Sequence, residues 1–124
     1  MTYQAAVQSG KGRGRRLGFP TLNLVIPDPF PFQFGVYAAW VTVGRKRYLA
    51  AVHFGPTPTF NEKVAMLEAH LIGVSLVHTP VRVELEMVER LREVRVFKDP
   101  EGLIAQIKRD VAAARRKLNA SAGS

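Results

Sequence analysis

Gly35-Val36-Tyr37-Ala38-Ala39-Trp40-Val41-Thr42-Val43 is apolar on both faces of an extended chain and contains no breaker. Such a run suits a central strand buried on two sides. Gly44-Arg45 then makes a tight turn into Tyr48 to Phe54, giving an antiparallel hairpin. Working outward, Ala65 to Leu71 and Val81 to Met87 read as further strands. In the second, Val81, Val83, Leu85 and Met87 face inward while Arg82, Glu84 and Glu86 face out, the period of two of a half-buried strand. Upstream, Tyr3 to Gln8 and Leu22 to Ile26 are short candidates. Pro27, Pro29 and Pro31 remove three amide donors, so that stretch reads as an extended surface loop. Strands at this spacing with no helix between them argue for an antiparallel barrel or sandwich. The chain ends differently. Asp99-Pro100-Glu101 is a helix start, with a capping Asp, Pro at the first position and an acid at the positive end of the dipole. Leu103, Ile107, Val111, Ala114 and Leu118 recur at helical spacing, leaving Lys108, Arg109, Arg115, Arg116 and Lys117 to face water. One domain over residues 1–118, followed by a tail over 119–124, is the expected organisation.

At 124 residues the chain is long enough to bury a core as a single domain. Its 47% hydrophobic and 23% charged residues are ordinary for a globular protein. The net charge of +8 favours an anionic partner such as a nucleotide or nucleic acid. The lack of cysteine excludes disulfides and thiolate metal sites. No run approaches a membrane span, and the first residues lack the pattern of a signal peptide, so a cytoplasmic protein with no membrane partner is expected.

The chemistry concentrates in Gly10-Lys11-Gly12-Arg13-Gly14-Arg15-Arg16-Leu17-Gly18-Phe19-Pro20-Thr21-Leu22-Asn23. Glycines at alternate positions let backbone amides approach a ligand, and the interleaved cations supply forks for phosphate. Neither the P-loop nor the dinucleotide fingerprint is present, and the same composition also suits a solvated basic loop. Thr21 and Asn23 lie two apart, so an extended backbone sets both oxygens on one face. Two neutral oxygens beside a phosphate cradle suit Mg²⁺. Gly55 to Asn61 is a rigid turn with exposed hydroxyls and an amide. In Met66-Leu67-Glu68-Ala69-His70-Leu71, Glu68 and His70 share a face within an apolar strand. A carboxylate there is costly unless it is used in chemistry or paired with an arginine such as Arg82 on a neighbouring strand.

These residues resemble the riboflavin kinase family. Gly14 to Asn23 is similar to the signature G-R-x-L-G-F-P-T-A-N, with Leu22 in place of Ala. Gly35-Val36-Tyr37-Ala38 matches G-V-Y-A, Gly55 with Pro58-Thr59-Phe60 matches G-x-x-P-T-F, and Glu68 to Leu71 matches E-V-H-L. Gln106-Ile107 with Asp110 matches the terminal Q-I-x-x-D. The resemblance implies a mainly β fold, a six-stranded antiparallel Greek-key barrel with a C-terminal helix. It implies transfer of the γ-phosphate of ATP to riboflavin, giving FMN, with Mg²⁺ held by Thr21 and Asn23 and with Glu68 as general base. Gly10, Lys11, Gly12, Gly14, Arg15, Gly18 and Pro20 would cover the phosphates beside Thr21 and Asn23. Asn61 and His70 would lie near the nucleotide, and Arg92 on the flavin side.

Three departures stand out. The family's D-L-Y-G segment after the strand of the catalytic Glu is missing, and Val74 to Pro80 replaces it. Val94 stands where the family's L-R-x-E-x-x-F has Glu, and His53 stands where Asn is common. All three are expected on the flavin side or its loops, leaving the nucleotide side intact. The family's adenylyltransferase module has no counterpart in these residues, so FMN formation without FAD synthesis is expected. Two other readings fit the composition: a flavin- or nucleotide-binding module with little turnover, and a basic barrel that binds single-stranded nucleic acid. The buried-looking strand that holds Tyr37 and Trp40 argues against the second, so no nucleic-acid partner is expected.

Overall fold

A computed structural model describes residues 1–9, 18–57 and 62–122. Six strands follow one another along the chain: β1 (Tyr3–Gln8), β2 (Leu22–Leu24), β3 (Gly35–Val43), β4 (Lys46–Thr57), β5 (Glu62–Leu71) and β6 (Arg82–Arg92). They close into a barrel in the order β1-β2-β5-β4-β3-β6, with β6 pairing back onto β1 and every pair antiparallel. A barrel, not a sandwich, is therefore the architecture. The 35–54 hairpin is its longest uninterrupted ladder, running from Gly35↔Phe54 to Val43↔Lys46, and Gly44 takes the positive φ of 61° that its turn demands.

Alternation sorts the strands into two cores. Tyr37, Ala39 and Val41 of β3, Ala50, Val52 and Phe54 of β4, Leu67, Ala69 and Leu71 of β5, and Val83 and Leu85 of β6 fill the barrel. Ala38 and Trp40, on the other face of β3, join Ile72 outside the barrel and are covered by Ala114 and Leu118 of the helix α1 (Pro100–Ala122). That is why β3 is apolar on both faces: one face meets the barrel core and the other meets α1.

α1 begins as its sequence requires, with the Gly102 amide donating to Asp99 Oδ1 at 2.8 Å. It runs through Ala122, so residues 119–122 are helical rather than part of a tail. Two further expectations are corrected. Val81 lies just before β6 and is 83% exposed, although its carbonyl already accepts from the Val7 amide of β1 at 2.9 Å. The proline-rich stretch is not only a surface loop: Phe30 and Phe32 turn inward and pack on the barrel core. Phe30 stacks edge-on against Tyr3 (5.1 Å) and Phe54 (4.9 Å), and the Tyr37 hydroxyl donates to Gln33 O at 2.7 Å. The prolines leave few amides to satisfy there, while the phenylalanines supply an apolar plug for one barrel end.

Candidate active site

The register builds a row of residues around the outside of the barrel. Asn23 lies opposite Glu68, Glu68 opposite His53, His53 opposite Val36, and Val36 opposite Arg92. Their chain neighbours Leu22, Leu24, Leu67, Ala69, Val52 and Phe54 point into the barrel, so the row faces outward. Residues paired in this way have Cβ atoms roughly 4.5–5.5 Å apart. Asn23, Glu68 and His53 are thus consecutive neighbours. At ~4.8 Å per strand, Arg92 stands three strands from Glu68, on the order of 14 Å along the sheet.

Asn23 is buried, at 8% exposure, and its Oδ1 has no hydrogen-bond partner among the described residues. A buried acceptor without a donor is costly unless a ligand completes it. Thr21 and Asn23 both line a cleft of about 630 Å³ at one end of the barrel, beside Val7, Gln8 and Ser9 on one wall and Val74, Ser75, Leu76 and Thr79 on another. The two residues that the sequence pairs therefore line one cleft, and the donor set they offer, one amide oxygen and one hydroxyl, is hard and neutral. It fits Mg²⁺.

The turn that delivers Thr21 is fixed from β5. His70 Nδ1–H donates to the Pro20 carbonyl at 2.8 Å, and the Phe19 ring meets the His70 ring edge-on at 5.5 Å. Gly18, which opens this turn, has a φ of 91°. His70 thus supports the Pro20-Thr21 segment directly.

His53 has a comparable role at the end of β4. The ladder slips between Gly55 and Thr57, and Gly55 adopts a φ of 138°. His53 Nε2 bonds the Gly55 and Pro56 carbonyls at 3.1 and 3.0 Å; both partners are acceptors, so this nitrogen carries the proton. A Cβ at Gly55 would come within 3.0 Å of Phe34 and 3.2 Å of Val94, so the bulge requires glycine for space as well as for φ.

Arg92 does not share the cleft of Thr21 and Asn23. Its guanidinium makes a two-pronged pair with Asp110 of α1, both bonds at 2.9 Å, and Nη1 donates to Glu93 O at 2.9 Å. Gln106 Nε2 donates to the same carboxylate at 2.9 Å, while Arg95 donates to Gln106 Oε1 at 3.3 Å. The Arg92 and Arg95 guanidinium groups stand 5.8 and 5.6 Å from the Phe97 ring. Gln106 and Asp110 are buried, and sequence periodicity did not single them out as core. Their i, i+4 spacing on a helix that must pack was the available signal.

One expectation changes. Arg82 is not on a strand next to Glu68: β5 neighbours β2 and β4, whereas β6 neighbours β1 and β3. The three departures are spread around the barrel. Val74 to Thr79 shares the cleft of Thr21 and Asn23, and His53 faces Glu68 across the ladder; Val94 packs by Gly55. Gly10, Lys11, Gly12, Gly14, Arg15 and Asn61 lie outside the described residues.

A family model described as Flavokinase: Riboflavin kinase matches residues 1–118. The chain belongs to the riboflavin kinase family. Among its relatives, a bifunctional riboflavin kinase/FMN adenylyltransferase of Buchnera aphidicola is 26% identical over 113 residues, which is 89% of this chain and 36% of that protein. The RNA-binding riboflavin kinase RibR of Bacillus subtilis is 31% identical over 113 residues, 90% of this chain and 49% of its own length. The chain thus spans half or less of these relatives. The crystal structure of a macrolide-efflux protein from Streptococcus pneumoniae superposes with a TM-score of 0.81 at 28% identity, over 92% of this chain and 38% of that one. Among the described residues, no helix is long and apolar enough to cross a membrane.

Proposed function

We propose that this riboflavin kinase family member phosphorylates riboflavin, using Mg-ATP and yielding FMN and ADP. The observation that carries the reading is the orphaned Oδ1 of buried Asn23, beside Thr21 and directly opposite Glu68. Thr21 and Asn23 would hold Mg²⁺, which when bound neutralises charge on the phosphates. The nucleotide would occupy the adjoining cleft, with Gly18, Pro20 and the basic stretch before them along its phosphates, and with Asn61 nearby. His70 keeps Pro20 and Thr21 in place. Riboflavin would approach from the Arg92 side, with its terminal ribityl hydroxyl at Glu68.

Phosphoryl transfer leaves little covalent work to the protein, so positioning and charge neutralisation dominate. Glu68 accepts the hydroxyl proton as the ribityl oxygen bonds to the γ-phosphorus and the bond to the ADP oxygen breaks. Lys11 and Arg15 would spread the charge that develops on the transferred group.

Incubation of riboflavin with Mg-ATP, followed by chromatographic separation, is expected to give FMN and ADP in equal amounts. A folded protein that binds riboflavin and forms no FMN would instead be a flavin-binding module. The rival nucleic-acid barrel lacks support at the strand aromatics, since Tyr37 and Trp40 are buried and no base could stack on them.

A further inference from the structure

We propose that the outward face of α1 binds the phosphate backbone of single-stranded nucleic acid through Lys108, Arg109, Arg115 and Arg116. This goes beyond the kinase reading and does not depend on it. The two pairs, Lys108 with Arg115 and Arg109 with Arg116, are each seven residues apart. At 3.6 residues per turn the four side chains fall within an arc of about 120°, spread over ~12 Å of helix. All are exposed; Lys108, Arg109 and Arg116 lie on the side away from Asp110, Ala114 and Leu118, which face the barrel, while Arg115 borders that stripe and its Nη2 reaches to 3.8 Å from where a Cβ on Gly73 would stand.

Little opposite charge interrupts the stripe. Asp110 is bound inside by Arg92, Glu89 pairs with Lys117 on the flank at 3.0 Å, Asp99 caps the helix, and Glu101 stands in line with Lys108 but about 10 Å nearer the N-terminus, so it closes that end of the stripe without interrupting it. Among the described residues no ion pair or hydrogen bond reaches Lys108, Arg115 or Arg116, and Arg109 makes only a 3.4 Å bond to Gln106. Four cations on one face, three of them without a partner, form a stripe whose complement is a chain of anions.

The surroundings select among anionic chains. α1 lies flat on the barrel through Ala114 and Leu118, so it cannot enter a duplex groove as a protruding recognition helix does. A flexible single strand can follow the stripe. A membrane surface fits less well, because an interfacial helix inserts apolar residues and those of α1 are committed to packing against the barrel. α1 carries no aromatic residue on which bases could stack, so binding is independent of sequence and sensitive to salt.

The test is fluorescence anisotropy of a labelled single-stranded RNA of about 20 nucleotides, titrated with the whole protein at several salt concentrations. Four phosphate contacts at ~0.7 each give an expected log–log slope near −3, with a Kd on the order of 10⁻⁴–10⁻⁶ M near physiological salt. Lys108→Ala with Arg115→Ala should cut the slope to roughly half and weaken binding about equally for all sequences. FMN formation and the melting temperature should stay unchanged, and saturating Mg-ATP should not displace the RNA. Absence of binding at low salt overturns the proposal. So does a slope that the double variant leaves intact, or displacement by Mg-ATP, since either moves the contact to another basic stretch. Tighter association with anionic lipid vesicles than with RNA overturns it in favour of a membrane surface.

Discussion

Substituting Gln for Glu68 keeps the size of the side chain and part of its hydrogen bonding but removes its basicity. If Glu68 takes the ribityl proton, the single-turnover rate should fall on the order of 10²–10⁴-fold while the melting transition holds. If it serves only as the partner of a buried cation, stability should drop by roughly 3–5 kcal/mol and activity should track the folded fraction. Measuring both on one preparation separates the cases, and a folded variant with near-normal turnover removes Glu68 from the mechanism. Thr21→Val tests the oxygen pair. Mg-ATP affinity should weaken roughly tenfold or more, the scale of one lost contact to a charged group, with riboflavin affinity unchanged. Equal loss of both would indicate damage to the Phe19-Pro20 turn that His70 holds. The period of two was enough to show that Glu68 and His70 share a face, and that Thr21 and Asn23 do. It could not show what stands opposite Glu68, because Asn23 and His53 arrive from strands that only the closed sheet brings together.

α1 and β6 are joined by the Arg92–Asp110 pair, and here local pattern was a poorer guide. The apolar stripe through Leu103, Ile107 and Val111 set the helix and its packing side, yet Gln106 and Asp110 are more buried than those three. Two polar residues can face inward only because β6 and its continuation send Arg92 and Arg95 to meet them, a pairing no helical window contains. Asp110→Ala leaves the guanidinium inside without its partner, and should cost about 3–5 kcal/mol in a urea titration. If Arg92 serves the flavin, KM for riboflavin should rise further than KM for ATP. The end of β4 was hidden for a different reason. Gly55 and Pro56 read as breakers, but the strand continues through them as a bulge, with His53 taking the carbonyls that the ladder releases.

Across the whole molecule, the barrel core and the layer beneath α1 meet at β3, so they should unfold together. Trp40, the single tryptophan, lies in the layer under α1 and reports that layer, while circular dichroism reports the sheet and helix as a whole. Leu67→Ala in the barrel and Leu118→Ala in the helix layer should each cost about 2–5 kcal/mol, with both signals still changing at one denaturant concentration. A fluorescence transition that precedes the dichroism change would mean that α1 lifts off first. The order of the elements was plain from strand spacing and one helix cap, whereas closure was not, because it depends on β2. That strand is three residues long and, among the described residues, alone links β1 to β5. While it holds, every strand has two neighbours and no edge is offered to another chain; if it detached, β1 and β5 would each present unpaired amides and carbonyls that could recruit a second molecule. Asn23 is the middle residue of this stave and Thr21 immediately precedes it. A ligand gripped by those two residues would also be a latch, and the protein's resistance to aggregation should rise with the concentration of Mg-ATP.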